Sequence, residues 1–78
     1  MPSPDLPAWV LTRRRAMGDR IRAARLWADL SQEQLAERTL VDRKTINRIE
    51  LGHHSARIDT LFLIADALDV PLADLVAP

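Results

Sequence analysis

Apolar residues recur along the chain at the three- and four-residue spacing of amphipathic helices. This spacing predicts helices over residues 9–28, 32–38 and 43–51. A fourth helix is predicted to begin near residues 58–60 and run to about residue 68, and a fifth short helix, with Pro71 in its first turn, to end near Val76. No segment alternates with the period of two that marks a β-strand. The pattern therefore predicts an all-α fold of about five helices.

Capping residues support these boundaries. Ser31, with Gln34 three residues later, is typical of a capping box at the start of the second helix. Asp42 and Asp59 are the expected N-caps of the third and fourth helices, and Gly52 is expected to end the third. The second and third helices are thus joined by a tight turn, which is typical of a helix-turn-helix motif.

The same spacing predicts the core. The apolar positions of the first, second and fourth helices are Met17, Ile21, Ala24, Leu35, Ala36, Leu61, Ile64, Ala65 and Leu68. Trp9 and Trp27 are also predicted to pack rather than to form exposed stacking platforms. Residues 1–8 contain three prolines and are predicted to form a flexible arm before a single domain over residues 9–78.

Composition excludes several classes of protein. The chain has no cysteine, which excludes a disulfide framework and a cysteine-ligated metal site. No apolar run approaches the roughly 18 residues of a membrane span, and the N-terminus lacks the basic start and apolar core of a signal peptide. We therefore predict a cytoplasmic protein without a membrane partner.

Charge is polarised although the whole chain is neutral at pH 7. Residues 12–50 carry ten Lys and Arg against six Asp and Glu, a net charge of +4, whereas residues 51–78 carry a net charge of −3. The neutral total alone argues against a nucleic-acid partner, but this asymmetry indicates one positive face.

The third predicted helix separates long hydrogen-bond donors from packing residues. At about 100° per residue, the donors fall within an arc of about 140°. They are Arg43, Lys44, Asn47 and Arg48, and the opposite arc holds Thr45, Ile46, Ile49 and Glu50. Such a helix fits the DNA major groove, where Arg and Lys suit guanine and Asn suits adenine. The alternative interpretation is a solvated cationic face on a surface helix.

Several motifs together resemble the Cro/repressor-type helix-turn-helix family, also called the xenobiotic-response-element family. The matching motifs are Gly18-Asp19-Arg20-Ile21-Arg22, Ser31-Gln32-Glu33-Gln34-Leu35-Ala36, Thr45-Ile46-Asn47-Arg48-Ile49-Glu50 with Gly52, Asp59-Thr60-Leu61 and Ala67-Leu68-Asp69-Val70. The resemblance implies a five-helix, lambda-repressor-like DNA-binding domain with its helix-turn-helix at residues 31–52. It also implies a bacterial or phage-type transcriptional regulator, most simply a repressor, that binds double-stranded DNA sequence-specifically.

The resemblance assigns roles to individual residues. Gln32 matches a glutamine that contacts backbone phosphate and sometimes a base, and Arg25 and Glu50 match a pair that often joins the first helix to the third. The base-reading positions are matched by Arg43, Lys44 and Arg48, with Asn47 beside them and Thr45 at the groove edge. Leu40 departs from the family's usual glycine, so the turn is either rearranged or strained. Ala56 replaces a frequent proline and indicates a looser loop.

Two basic segments have alternative interpretations. His53 and Arg57, with Ser55, either contact phosphate or form an exposed polar loop. The run Arg13-Arg14-Arg15 either follows the DNA backbone or is a solubilising face. The adjacent histidines diverge and lack a third ligand, so no metal site is predicted. No catalytic triad or Gly-rich phosphate loop is found, so we predict no enzyme activity and no cofactor.

One helix-turn-helix reads few base pairs, so we expect a homodimer on a pseudo-palindromic operator with half-sites about 34–36 Å apart. The predicted dimer interface is the C-terminal end of the chain, where Leu72, Leu75 and Val76 either make apolar dimer contacts or close the core. The alternative function is a protein-interaction module of the same fold, an antitoxin or adaptor with a toxin or regulatory-protein partner. The neutral charge and Leu40, if exposed, favour that alternative.

Overall fold

Five helices form the part of the chain that the computed structural model describes, residues 6–77. They are α1 (Ala8–Trp27), α2 (Gln32–Thr39), α3 (Arg43–Glu50), α4 (Ile58–Leu68) and α5 (Leu72–Val76). No strand occurs over these residues, and the all-α prediction is confirmed. Of the predicted arm, residues 1–5 lie outside the described part of the chain, and α1 already begins at Ala8.

The predicted caps are partly confirmed. Ser31 Oγ accepts the Gln34 backbone N–H at 3.0 Å, and the Gln34 side chain accepts the Ser31 N–H at 2.8 Å, which completes the capping box. Asp42 occupies the N-cap position of α3 without a side-chain hydrogen bond. The prediction for Asp59 is wrong, because the N-cap of α4 is Arg57, two residues earlier, and the helix begins at Ile58. Pro71 likewise precedes α5 as its N-cap.

The turn between α2 and α3 is strained rather than rearranged. Leu40 ends α2 in the left-handed region with φ of 59°. A leucine in this region costs about 1–2 kcal/mol, and its side chain, 93% exposed, gains almost no burial in return. Asp29 and Asp69 adopt the same conformation at the ends of α1 and α4, where a short polar side chain tolerates it better.

The core draws residues from all five helices. Six side chains are fully buried, namely Ile21, Leu35, Ile46, Ile49, Ile64 and Leu75. α3 packs against both α1 and α2, and α4 packs against α2, α1 and α5. This arrangement encloses one side of α3 and leaves its other side at the surface. None of the helices within residues 6–77 combines the length and apolar character needed to cross a bilayer.

The core predictions fail at both tryptophans. Trp27 is 93% exposed and Trp9 is 61% exposed, so neither is a packing residue. The buried stripe of α1 ends at Arg25, and Trp27 follows two residues later, about 200° around the helix axis. Of the two alternatives for Leu75, the structure shows the closing of the core, because Leu75 is 2% exposed, whereas Val76 beside it is 46% exposed.

Candidate nucleic-acid interface

The two sides of α3 differ in burial and in bonding. On the inner side, Ile46 and Ile49 are fully buried. On the outer side, Arg43, Lys44 and Arg48 are exposed, and their side chains have no ion-pair or hydrogen-bond partner within residues 6–77. The predicted donors thus reach solvent together, on a helix whose opposite side is anchored.

A polar network fixes the N-terminus of α2 against α3. Gln32 Nε2 donates to Asn47 Oδ1 and to Glu50 Oε1, both at 3.1 Å. The sequence predicts Gln32 and Asn47 as separate DNA-contacting residues, and the structure joins them directly. Asn47 keeps its amide donors free of partners in the described chain, and Gln32 keeps its carbonyl oxygen. Each side chain is therefore oriented by the protein while one polar end stays available.

The predicted ion pair between α1 and α3 is present and buried. Arg25 Nε donates to Glu50 Oε2 at 2.7 Å and Arg25 Nη2 to Glu50 Oε1 at 3.0 Å. Arg25 Nη1 also donates to the Leu30 carbonyl at 2.8 Å. The hydrogen bond with Glu50 raises the pKa of Arg25 above its ordinary value, against the opposing effect of burial. The pair fixes the end of α3 to α1 and leaves no buried side-chain polar atom of the described residues unsatisfied.

Gly18 permits a close approach of α1 to α3. Its backbone packs directly on α3, and a Cβ at this position would overlap the carbonyl oxygens of Ile49 and Glu50. The spacing of apolar residues does not predict such a contact. The sequence feature that indicates it is the glycine at the first position of the first family motif. Gly18 and Arg25 together determine how α1 crosses the end of α3.

The remaining predicted residues lie at the margins of this surface. Thr45 is half-buried on α3, and His53 and Arg57 are exposed in the segment between α3 and α4. None of the three makes a side-chain hydrogen bond with another described residue. Residues 6–77 contain no group of three or more His, Cys, Asp and Glu side chains placed to hold a metal ion.

A known family accounts for this arrangement. The sequence profile of HTH_3, described as helix-turn-helix, matches residues 21–75. The chain belongs to the HTH_3 family. The matched segment contains the whole of α2, α3 and α4, and it begins inside α1, so residues 8–20 of that helix precede it.

Two solved structures are similar to this HTH_3 protein. The restriction-modification controller protein C.AhdI from Aeromonas hydrophila is 30% identical, with a TM-score of 0.80 over 82% of this chain and 97% of its own. An HTH_3 family transcriptional regulator from Vibrio cholerae is 25% identical, with a TM-score of 0.80 over 87% of this chain, which spans only 38% of that protein. No curated protein matches the chain significantly. Family and neighbours support a non-enzymatic, DNA-binding regulator of transcription.

Proposed function

We propose that this HTH_3 protein binds double-stranded DNA sequence-specifically by placing α3 in the major groove. The observation that carries the proposal is the outer side of α3, where three exposed cations have no partner in residues 6–77 while the isoleucines behind them are fully buried. A major groove about 12 Å wide admits an α-helix, and the N-terminal residues of that helix meet the base edges.

Each polar residue then has a distinct task. Arg43, Lys44 and Arg48 are suited to guanine O6 and N7, and Asn47 to adenine, with its carbonyl already oriented by Gln32. Gln32 lies at the first position of α2, where backbone N–H groups can meet a phosphate, and its own side-chain carbonyl can accept a hydrogen bond from a base amino group. Thr45 lies at the groove edge, and His53 and Arg57 reach phosphates that flank the bases.

Selection of bound sequences from a random duplex pool, at two salt concentrations, tests this function. The wild-type protein should enrich a defined motif and bind more weakly as salt rises. Arg43→Ala should lose preference at one base position, since a bidentate pair discriminates by about 1–3 kcal/mol. Arg38→Ala is the matched control, because Arg38 is an exposed arginine near the other end of α2. Unchanged preference in Arg43→Ala would show that Arg43 does not read a base.

The protein is proposed to act as a homodimer on a pseudo-palindromic operator, since one α3 covers only a half-site. With Leu75 buried, the apolar residues left to a second copy include Ile58, Phe62 and Leu63 on α4, which are 54%, 54% and 47% exposed. They share an arc of about 140° on the helix. Phe62→Asp should shift sedimentation from dimer to monomer and leave the fold intact. Asp66→Ala, also on that arc, is the control, and a dimeric Phe62→Asp protein would exclude this surface.

Repression in the cytoplasm is the simplest regulatory outcome, because a dimer on an operator that overlaps a promoter excludes RNA polymerase. The two structural neighbours are described as a controller protein and as a transcriptional regulator, which supports a regulatory role. A reporter gene behind the selected operator should fall in expression when the protein is supplied. A rise in expression would identify an activator instead.

An antitoxin or adaptor is the second candidate function. The observation favouring it is that Leu40 and Trp27 are each 93% exposed, so both large apolar side chains are accessible to a protein partner. Affinity capture from the host, with Trp27→Ser and Leu40→Ser as the variants, distinguishes the candidates. Loss of a specific protein partner with DNA binding retained would support this second role.

A further inference from the structure

The N-terminal half of α1 lies beside the loop that follows α3. Arg14 and Arg15 line a surface cleft together with Gly52 and His53. Gly52 has φ of 76°, and a Cβ there would lie 2.8 Å from Arg15 Cα, so the backbones of loop and helix touch. This contact fixes Arg15 relative to the end of α3, although residues 8–20 precede the segment matched by the family.

This surface is continuous with the proposed DNA-reading side of α3. A second cleft is bordered by Arg15, Arg22 and His53 and reaches Leu51. Leu51 follows Asn47 by four residues, so it continues the outer side of α3 by one turn. A helix in the major groove brings its end and the following loop to the groove rim, where the phosphates run. Arg15 and His53 therefore lie toward that rim.

The charges on this surface are available to an anion. Within residues 6–77, the side chains of Arg14, Arg15 and His53 have no ion-pair or hydrogen-bond partner. The second cleft is lined by two carboxylates, Asp19 and Glu50. Glu50 is already paired with Arg25, so Asp19 is the carboxylate of that lining left to offset Arg15 and Arg22. The surface thus keeps a positive charge next to the groove-facing residues.

We propose that Arg14 and Arg15, beside the phosphate contact already proposed for His53, form a second contact surface for the DNA phosphate backbone, beyond the bases that α3 reads. The inference rests on the proposed function. Contacts of this kind carry no base preference, and each adds salt-dependent affinity by releasing counterions. The extended α1 would then strengthen binding and fix the register of α3 without changing which sequence is chosen.

Arg15→Gln tests the surface, because glutamine keeps the Cβ beside Gly52 and removes the positive charge of the guanidinium. Affinity for the selected duplex is measured by fluorescence anisotropy between 50 and 200 mM salt. One phosphate contact contributes a slope of about 0.9 in log affinity against log salt, or about 3.5-fold over this range. Arg15→Gln should lose that amount of salt dependence and keep the wild-type sequence preference and thermal midpoint.

Arg13→Gln is the matched control. It makes the same change of charge two residues away, but the Arg13 guanidinium lies over the Trp9 ring, 5.6 Å from its centroid, and Arg13 does not line the His53 clefts. Its salt slope should equal that of the wild type. Equal slopes for all three proteins, or equal losses in both variants, would overturn the inference.

Ethylation interference, compared between the wild-type and Arg15→Gln complexes, gives a second readout. At least one phosphate outside the bases read by α3 should block wild-type binding when it is ethylated and lose that effect in Arg15→Gln. The inference is wrong if the two proteins give the same interference pattern. A wild-type protein that binds every duplex equally poorly would instead refute the proposed function. The two failures are therefore distinguishable.

Discussion

The inner and outer sides of α3 use charged residues in opposite ways. On the inner side, Glu50 is buried, bound by two nitrogens of Arg25 and by Gln32, and has no freedom to meet another molecule. On the outer side, Lys44 and Arg48 are exposed and have no partner within residues 6–77. Charge in this helix therefore has two separable effects: paired charge sets the position of the helix, and unpaired charge is available for recognition.

Removing Glu50 should have the largest effect on stability. Glu50→Ala leaves Arg25 buried without its carboxylate, and breaking a buried pair in this way costs about 3–5 kcal/mol. Urea unfolding followed by circular dichroism measures the loss. Glu37→Ala, which removes an exposed glutamate of α2, should change stability by less than about 0.5 kcal/mol.

The pH dependence of that loss follows from the raised pKa of Arg25. A cation whose folded pKa is raised contributes stability that is fully present below its unfolded pKa and disappears only as pH rises through the folded pKa. Because both pKa values are strongly alkaline for arginine, the difference in unfolding free energy between wild type and Glu50→Ala should stay constant from about pH 7 to about pH 10.

Arg25→Met combined with Glu50→Leu should recover most of the stability that Glu50→Ala loses. A double variant as unstable as Glu50→Ala would contradict this assignment.

Gly18→Ala should have the next largest effect. Replacing an exposed helical glycine with alanine normally stabilises a protein by about 0.5–1 kcal/mol. Here the new Cβ meets backbone oxygens of α3 that no side-chain rotation can move, so we expect a loss of about 1–3 kcal/mol. Thermal unfolding measures it, with Asp19→Ala, the exposed neighbour on α1, as the control. Stabilisation by Gly18→Ala would show that α1 and α3 are not in close contact.

Apolar spacing and family motifs predicted different features of this structure. Apolar spacing identified the helices and most of the core, because burial of one helix face repeats every three to four residues. It did not predict the exposure of Trp27, since a residue at the end of a helix can turn away from the stripe that precedes it. Pairing across 25 residues, as between Arg25 and Glu50, came from the family motifs rather than from local pattern.

The residues on the outer side of α3 were predicted individually, but the hydrogen bonds that they make were not. The wheel placed Asn47 with the cations, and the structure shows that Gln32 already holds its carbonyl. A hydrogen bond between two helices depends on their crossing angle, which no local pattern encodes. Likewise, the cap at Ser31 was predicted with its side-chain hydrogen bond, the N-cap position of Asp42 was predicted although its side chain makes no such bond, and the N-cap of α4 was missed at Asp59.

The outer side should show the smallest effect on stability and a large effect on recognition. Lys44→Ala and Arg48→Ala remove exposed side chains without partners in the described chain, so each should change unfolding free energy by less than about 0.5 kcal/mol. Each should weaken discrimination at its own base position by about 1–3 kcal/mol. Ile46→Val, on the inner side, should have the opposite effects. It should lower the unfolding free energy by about 0.5–1.5 kcal/mol and leave the selected DNA motif unchanged. If Ile46→Val altered the selected motif as much as Lys44→Ala does, position and recognition would not be separable along this helix.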